Sequence, residues 1–173
     1  MMALVKAVLG VKPRFGEGSW LAENATVVGD VKTGKNCTVW FNAVVRGDVH
    51  SIQIGDNVNI QDGAVIHCSY KRANTVIGDH VSIGHNAIVH GCTIGNNVLI
   101  GMGAIVMDHV VIGENSVIGA GAVVLENTII PSGSIYAGVP AQKVRDIDDK
   151  ANESIERTAK NYPMYSKWFS KDA

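Results

Sequence analysis

The chain has 173 residues, with 15 Lys and Arg, 16 Asp and Glu, and a formal net charge of −1. This length predicts one domain that can bury a sizeable core, and the balanced charge argues against nucleic acid as the partner. Charged residues make up only 18% of the chain, below the usual ~25%, which suggests that other subunits cover part of the surface.

The opening segment MMALVKAVLG is too short to span a bilayer and leads into a charged, glycine-rich stretch without a small-residue cleavage site. We interpret it as a first strand or a cap. The three cysteines, Cys37, Cys68 and Cys92, form no CxxC pair and are odd in number. A disulfide framework is therefore not expected, and the sequence predicts a cytoplasmic protein without a membrane partner.

A six-residue repeat dominates the chain from about residue 21 to residue 141. Its units include VVGDVK, VRGDVH, IGDNVN, IGDHVS, IGNNVL and IGENSV. The first position is almost always Ile or Val, the second is often Gly, and the fifth is small or β-branched. Helices and alternating strands have other periods, and sandwich strands do not hold a strict phase of six. The repeat therefore predicts an all-β solenoid, a parallel β-helix of roughly seven triangular coils with about 18 residues per coil, within a domain spanning residues 1–141.

The last segment, residues 142–173, loses the repeat and gains charge. Apolar residues recur there at a spacing of three to four, namely Val144, Ile147, Ala151, Ile155, Ala159 and Tyr162. This pattern predicts a C-terminal amphipathic α-helix that packs on the prism. Pro163 is expected to kink or end it.

The repeat also predicts where three histidines point. We name side A by the inward residues Val45, Ile66 and Val89, and side C by Ile60 and Ile83; this phase requires one loop of five residues within HCSYKRANTV.

His67 and His90 directly follow inward residues of side A, so they are predicted to stack on its outer surface. His85 lies on side C, and one chain cannot bring it to the other two. Three prisms around a threefold axis would place side A of one against side C of the next. The expectation is a homotrimer with metal sites at its subunit interfaces, bound by His67, His85 and His90.

Further polar residues fall on the same two sides. Arg46 is predicted to lie above His67 on side A, and Asp62 above His85 on side C, with Gln61 beside it. An Arg and an Asp on facing sides would form an intersubunit ion pair.

Three imidazoles without a fourth protein ligand are typical of a catalytic zinc site, although Fe²⁺ or Co²⁺ would also suit them. A metal-bound hydroxide could then attack a small electrophile such as CO₂. Cys68 and Cys92 lie near the histidines, but we interpret them as buried fillers rather than ligands.

The segment VVRGDVHSIQIGDNVNIQDGAVIH, followed by IGHNAIVHGC, resembles the γ-class carbonic anhydrases, which are homotrimers of left-handed β-helices. The resemblance covers nearly the whole chain. It implies a left-handed coil and zinc ligands at His67, His85 and His90, with His85 donated across the interface. This agrees with the count above.

The resemblance implies roles for other residues too. The family's Arg-x-Asp falls on Arg46 and Asp48, and Asp62 falls among the polar residues that tie the subunits together. Asn59 and Gln61 match positions that line the active site, with Gln61 touching the metal-bound solvent.

Two departures from the family's pattern concern the release of protons. Val49 stands where fast members carry a Glu after the Arg-x-Asp motif. The loop CSYKRANT, which follows the first zinc histidine, contains Lys71 and Arg72 and no carboxylate. Regenerating hydroxide requires a proton to reach bulk water, so these departures favour slow turnover.

Three functions therefore stand as hypotheses. The first is reversible hydration of CO₂ to bicarbonate by a trimeric zinc enzyme. The second is an acyltransferase or thioesterase acting on acyl-CoA, as in many other hexapeptide proteins. The third is a non-catalytic trimeric scaffold whose metal staples the interface.

Overall fold

The computed structural model describes residues 2–169, which form a left-handed parallel β-helix of about seven triangular coils followed by one α-helix. This confirms the predicted solenoid. The strands are β1 (Leu4–Lys6), β2 (Trp20–Leu21), β3 (Thr26–Thr33), β4 (Thr38–Val39), β5 (Val44–Ile54), β6 (Asn59–Ile60), β7 (Val65–His67), β8 (Thr75–Ile77), β9 (Ser82–Ile83), β10 (Ile88–His90), β11 (Thr93–Ile94), β12 (Leu99–Ile100), β13 (Ile105–Val106), β14 (Val111–Ile112), β15 (Val117–Ile118), β16 (Val123–Val124), β17 (Ile129–Ile130), β18 (Ser134–Ala137) and β19 (Gln142–Asp146).

The strands form two sheets that correspond to the sides of the prism. In the 11-stranded sheet, the long strand β5 joins side A, with β7, β10, β13 and β16, to a second side formed by β8, β11, β14 and β17. Side C is the 8-stranded sheet, which runs from β2 to β19. The named strands pair in parallel, except that β19 is antiparallel to β18.

Stacked aliphatic residues form the core inside the prism. On side A, Ile66 pairs with Val45 above and with Val89 below, and on side C, Ile60 pairs with Ile83. All five side chains are buried. Burying an aliphatic side chain of this size contributes about 1.5–3 kcal/mol, so this column helps to hold each coil to the next.

The pairing confirms the predicted phase through the loop. Ile54 pairs with Ile77, so the insertion leaves the following coil in register. The loop is closed by an antiparallel bridge between Ser69 and Ala73.

The C-terminal segment differs in part from the prediction. Residues 142–146 were expected to belong to the helix, but they form β19, which covers the edge of β18. The helix α1 spans Asp149–Phe169. Asp148 fixes its start, because the Asp148 carboxylate accepts a hydrogen bond from the Ala151 N–H at 2.9 Å. The remainder of the predicted segment, residues 170–173, lies outside the described residues.

Of the two effects predicted for Pro163, the end of the helix is wrong, because α1 continues past it to Phe169, and the kink stays a prediction. Proline removes one helical hydrogen bond, but packing against the prism offsets the loss. Tyr162 contacts Trp40, and Phe169 contacts Trp20, Trp40 and Phe41. The helix thereby lies against side C, near β4, β6 and β9. No helix within residues 2–169 is long and apolar enough to cross a membrane.

Candidate metal centre

The two histidines of side A face each other as the repeat predicted. His67 at the end of β7 pairs in register with His90 at the end of β10. The Nδ1 atom of His67 lies 3.0 Å from the Nε2 atom of His90. Two nitrogens bound to one tetrahedral zinc lie about 3.3 Å apart, given Zn–N bonds of about 2.0–2.1 Å. The two rings are therefore spaced close to what a shared metal requires.

The outer nitrogen of each ring faces a carboxylate. His67 Nε2 lies 3.0 Å from Asp48 Oδ1, and His90 Nδ1 lies 2.5 Å from Asp108 Oδ1. If both outer nitrogens donate their protons to these carboxylates, the two facing nitrogens carry lone pairs in the neutral rings. Two lone pairs at this distance repel unless a proton or a cation lies between them. The donor set fits a cation that accepts imidazole ligands.

His85 lies on side C, apart from the other two. Its side chain is 38% exposed, and its Nδ1 lies 2.9 Å from Asp62 Oδ2, one coil above. Within residues 2–169, no three His, Cys, Asp or Glu side chains are arranged to hold a metal. A third imidazole for the pair on side A must therefore come from elsewhere, and His85 of a neighbouring chain remains the predicted source.

Electrostatics keep the side A groups in the states that this arrangement needs. Burial lowers the pKa of His67, and the hydrogen bond to Asp48 only partly offsets this effect. Burial raises the pKa of Asp48, but the hydrogen bonds from Arg46 and His67 outweigh burial, and the pKa lies below its ordinary value. The ring is thus neutral and the carboxylate ionised near pH 7.

Arg46 has a partner within its own chain. Its Nη1 lies 2.6 Å from Asp48 Oδ2, and its side chain is 44% exposed. The Arg46–Asp48 pair, which the resemblance pointed to, thus also orients the carboxylate that holds His67. The intersubunit pair between Arg46 and Asp62 stays a prediction.

A buried chain of hydrogen bonds fixes the amide of Gln61. Gln61 Nε2 donates to Asn59 Oδ1 at 3.0 Å, and Asn59 Nδ2 donates to Ser82 Oγ at 2.7 Å. Gln61 is only 4% exposed, and it lines a groove of about 460 Å³ together with His85 and Tyr162. The two amides are therefore held in one orientation beside His85.

Two polar contacts of the histidines were missed by the sequence reasoning. The Tyr162 hydroxyl lies 3.2 Å from His85 Nε2, and burial, with a smaller effect from Asp62, raises the pKa of Tyr162 to about 12. Tyr162 could not be placed from the sequence, because the repeat does not determine where a residue of the helix contacts the prism. Asp108 could have been placed from the sequence, because it is the third residue of its hexad on side A, one coil below Gly91.

The structure shows the contacts made at Val49 and in the loop after β7, where the sequence departs from the family's pattern. Val49 packs partly buried against the core. In the loop, Lys71 lies over the ring of Tyr70, and Arg72 pairs with Glu126 at 3.2 Å. Neither Val49 nor any loop residue is itself a carboxylate, and the Glu126 carboxylate beside the loop is paired with Arg72.

Comparison with known proteins identifies the family of the chain. Two family models match, "Bacterial transferase hexapeptide (six repeats)" at residues 74–106 and 91–126, and "Hexapeptide repeat of succinyl-transferase" at residues 31–68. The "Probable carbonic anhydrase" of Methanocaldococcus jannaschii is 52% identical over 146 residues, which cover 84% of this chain and 91% of that protein.

Two further comparisons extend over most of the chain. "Gamma carbonic anhydrase 2, mitochondrial" of Arabidopsis thaliana is 39% identical over 160 residues, covering 90% of this chain, which spans 58% of that protein's length. The solved structure of a hexapeptide transferase family protein from Anaplasma phagocytophilum superposes with a TM-score of 0.91 at 39% identity, covering 96% of this chain and 98% of that one. With a histidine pair on side A, a third histidine on side C and relatives of this similarity, the chain belongs to the γ-class carbonic anhydrase family of hexapeptide-repeat proteins.

Proposed function

We propose that this protein is a homotrimeric zinc enzyme that hydrates CO₂ reversibly to bicarbonate. The observation that carries the proposal is the pair of facing nitrogens on His67 and His90, each ring held from behind by a carboxylate. His85, held by Asp62 and exposed on side C, would complete the site from the neighbouring subunit. Relatives named carbonic anhydrases support the reaction.

Different residues would bind the metal and orient the substrate. His67 and His90 of one subunit and His85 of the next would hold the metal, leaving one coordination position open. When bound, the metal lowers the pKa of a coordinated water and so supplies a nucleophile near neutral pH. Gln61, fixed by Asn59, would orient solvent and CO₂ with an uncharged amide that does not compete for the metal.

The chain has few side chains that could pass a proton from the proposed site to bulk water. Neither Val49 nor the loop from Ser69 to Ala73 carries a carboxylate of its own, so we propose that protons leave by way of buffer. We therefore expect hydration rates that rise with buffer concentration. The three cysteines are unpaired thiols, which fits a reducing cytoplasm as the proposed compartment.

The decisive experiment is stopped-flow CO₂ hydration by purified protein loaded with Zn²⁺, Fe²⁺ or Co²⁺, alongside elemental analysis and a measurement of oligomer mass. His90→Ala should abolish the activity. His109→Asn is the matched control, because His109 is exposed at a corner with φ 60, a conformation that Asn accepts. Wild-type protein that hydrates CO₂ no faster than buffer with all three metals would refute the proposal.

A second candidate is acyl transfer or thioester hydrolysis with acyl-CoA. The observation that favours it is the likeness to a hexapeptide transferase family structure. The same preparations should be assayed with acetyl-CoA, with and without metal. Turnover that survives metal removal and the His90→Ala change would favour this candidate, whereas a metal-dependent trimer without either activity would support the scaffold.

A further inference from the structure

We infer that Asp108 is a positioning residue for the metal site and that it also ties the loop after β7 to His90. The inference rests on the proposed metal site and adds a residue to it. Asp108 lies in the turn between β13 and β14, one coil below His90. Its side chain is 6% exposed, so it is not an ordinary surface carboxylate.

Both oxygens of the carboxylate are engaged. Asp108 Oδ1 accepts from His90 Nδ1, and Oδ2 accepts from Ser69 Oγ, each at 2.5 Å. With Nδ1 donating, the lone pair of His90 lies on Nε2, the atom that faces His67. Asp108 therefore sets both the tautomer and the ring orientation of His90.

The carboxylate is seated against the backbone of the ligand strand. Gly91 has φ +54, and a Cβ built at Gly91 would lie 2.3 Å from Asp108 Oδ1. Only glycine leaves room for the carboxylate under His90. Gly34, Gly55 and Gly63 meet an Asp or Asn oxygen in the same way, so this close approach belongs to the corners of the coil. At Gly91 it places the Asp108 carboxylate directly beside His90.

Ser69 extends the contact to the loop. It is the first residue of the loop closed by the bridge between Ser69 and Ala73, and the same loop is anchored at Arg72 by Glu126. Ser69 at the start of the loop and the ring of His90 thus contact the same carboxylate, that of Asp108. Loss of the Asp108 charge should disturb both.

The test compares Asp108→Asn with Asp79→Asn in the full-length protein. Asn keeps the shape of Asp108 and an acceptor oxygen but removes the charge. Asp79 is the control because its carboxylate accepts only from the Asp56 N–H among the hydrogen bonds of the described residues, and it bonds to none of the three proposed ligands. Zinc affinity is measured by chelator competition, and the Co²⁺ form is examined by its visible absorption spectrum.

Asp108→Asn should weaken zinc binding by about 10–100-fold and alter the Co²⁺ spectrum, since the loss of a carboxylate that holds a metal-binding histidine has effects of this size. Asp79→Asn should leave both unchanged. Wild-type zinc affinity and an unaltered Co²⁺ spectrum in Asp108→Asn would overturn the inference, as would a wild-type protein that binds no zinc.

Ser69→Ala keeps the test decisive if Asp108→Asn does not fold. It leaves the carboxylate on His90 but removes the donor to Oδ2, and should weaken zinc binding severalfold; unchanged affinity would count against the inference. Because these readouts are affinity and spectrum, zinc binding without CO₂ hydration would refute the proposed activity and leave this inference standing.

Discussion

His67 Nδ1 and His90 Nε2 lie 3.0 Å apart on one side of the prism, while His85 lies on another side. If His85 serves the neighbouring subunit, chains with complementary defects should restore each other. His85→Ala keeps an intact side A, and His90→Ala keeps an intact side C. Co-refolding equal amounts should produce intact sites at about a quarter of the interfaces, measured as bound zinc.

The control for this mixing experiment is His67→Ala with His90→Ala. Both changes lie on side A, so no interface between these chains can be complete. Zinc binding should stay at the level of the separate variants. Restoration in this control, or none in the first mixture, would contradict a site shared between subunits.

The Tyr162 hydroxyl occupies the His85 nitrogen that the proposed metal would bind. It donates to His85 Nε2, the nitrogen left free by the contact with Asp62, and a hydrogen bond of this kind contributes about 1 kcal/mol. Tyr162→Phe should therefore tighten zinc binding by up to about fivefold, as measured by chelator competition. Tyr165→Phe, one helical turn away, is the control. A tenfold weakening in Tyr162→Phe would mean that the hydroxyl instead holds His85 in place for the metal.

Gln61 should affect turnover more than metal binding. Its amide is fixed by Asn59, and neither residue is a proposed ligand. A lost hydrogen bond to a charged reacting group costs about 1.5–3 kcal/mol, so Gln61→Ala should lower kcat for CO₂ hydration by roughly 10–100-fold at unchanged zinc content. An equal loss of zinc and of activity would assign Gln61 a structural role instead.

The buried thiols should resist alkylation in the native state. Burial raises the pKa of Cys37 to about 11 and that of Cys92 to about 12, and it also raises the pKa of Cys68. At pH 8, iodoacetamide should label native Cys37 and Cys92 more than roughly a hundredfold more slowly than the same thiols in guanidinium chloride. Rapid labelling of Cys37 or Cys92 in the native protein would contradict their burial.

The same shifts predict a loss of stability in alkali. Below the pKa of about 8.5 in the unfolded chain, the thiols are protonated in both states and contribute no pH dependence. As the pH rises from there towards 11, the unfolded chain ionises while native Cys37 and Cys92 keep their protons. Folding stability should therefore fall over this range, as measured by denaturant unfolding, and less steeply after Cys37→Ala is introduced.

The sequence predicted the register of the coils because an inward aliphatic residue marks every side. The inward positions of Ile66 and Val89 determine those of His67 and His90, and the two histidines pair in register in the structure. The start of α1 could not be obtained in this way. Residues 142–146 instead pair as a strand with the edge of β18. An apolar spacing of three to four in the sequence does not reveal that this edge is there to be paired.

The side-chain partners of the histidines also differ in whether the repeat can place them. Asp108 follows from the count, because the third position of a side A hexad lies beside the histidine one coil above. Tyr162 does not, because its contact with His85 depends on how α1 packs across side C. Neither residue was predicted from the sequence as a partner of the histidines. The count could have reached Asp108 on the coils, but it could not have reached Tyr162 on the helix.

The corner glycines provide the last prediction, on stability. A Cβ at Gly101 would lie 2.5 Å from the Ala120 backbone nitrogen, whereas a Cβ at Gly103, where φ is +67, would meet nothing within 4 Å. Gly101→Ala must therefore move backbone and should lower the free energy of unfolding by about 3 kcal/mol. Gly103→Ala is strained only by its dihedral and should cost about 1–2 kcal/mol. Gly103→Asn should cost less than Gly103→Ala, because Asn42 and Asn86 adopt φ 59 and 56 at the same corner. Guanidinium chloride titrations of the metal-free variants would test this order, and a Gly101→Ala protein as stable as Gly103→Asn would show that the coils tolerate a wider spacing than the close backbone contact implies.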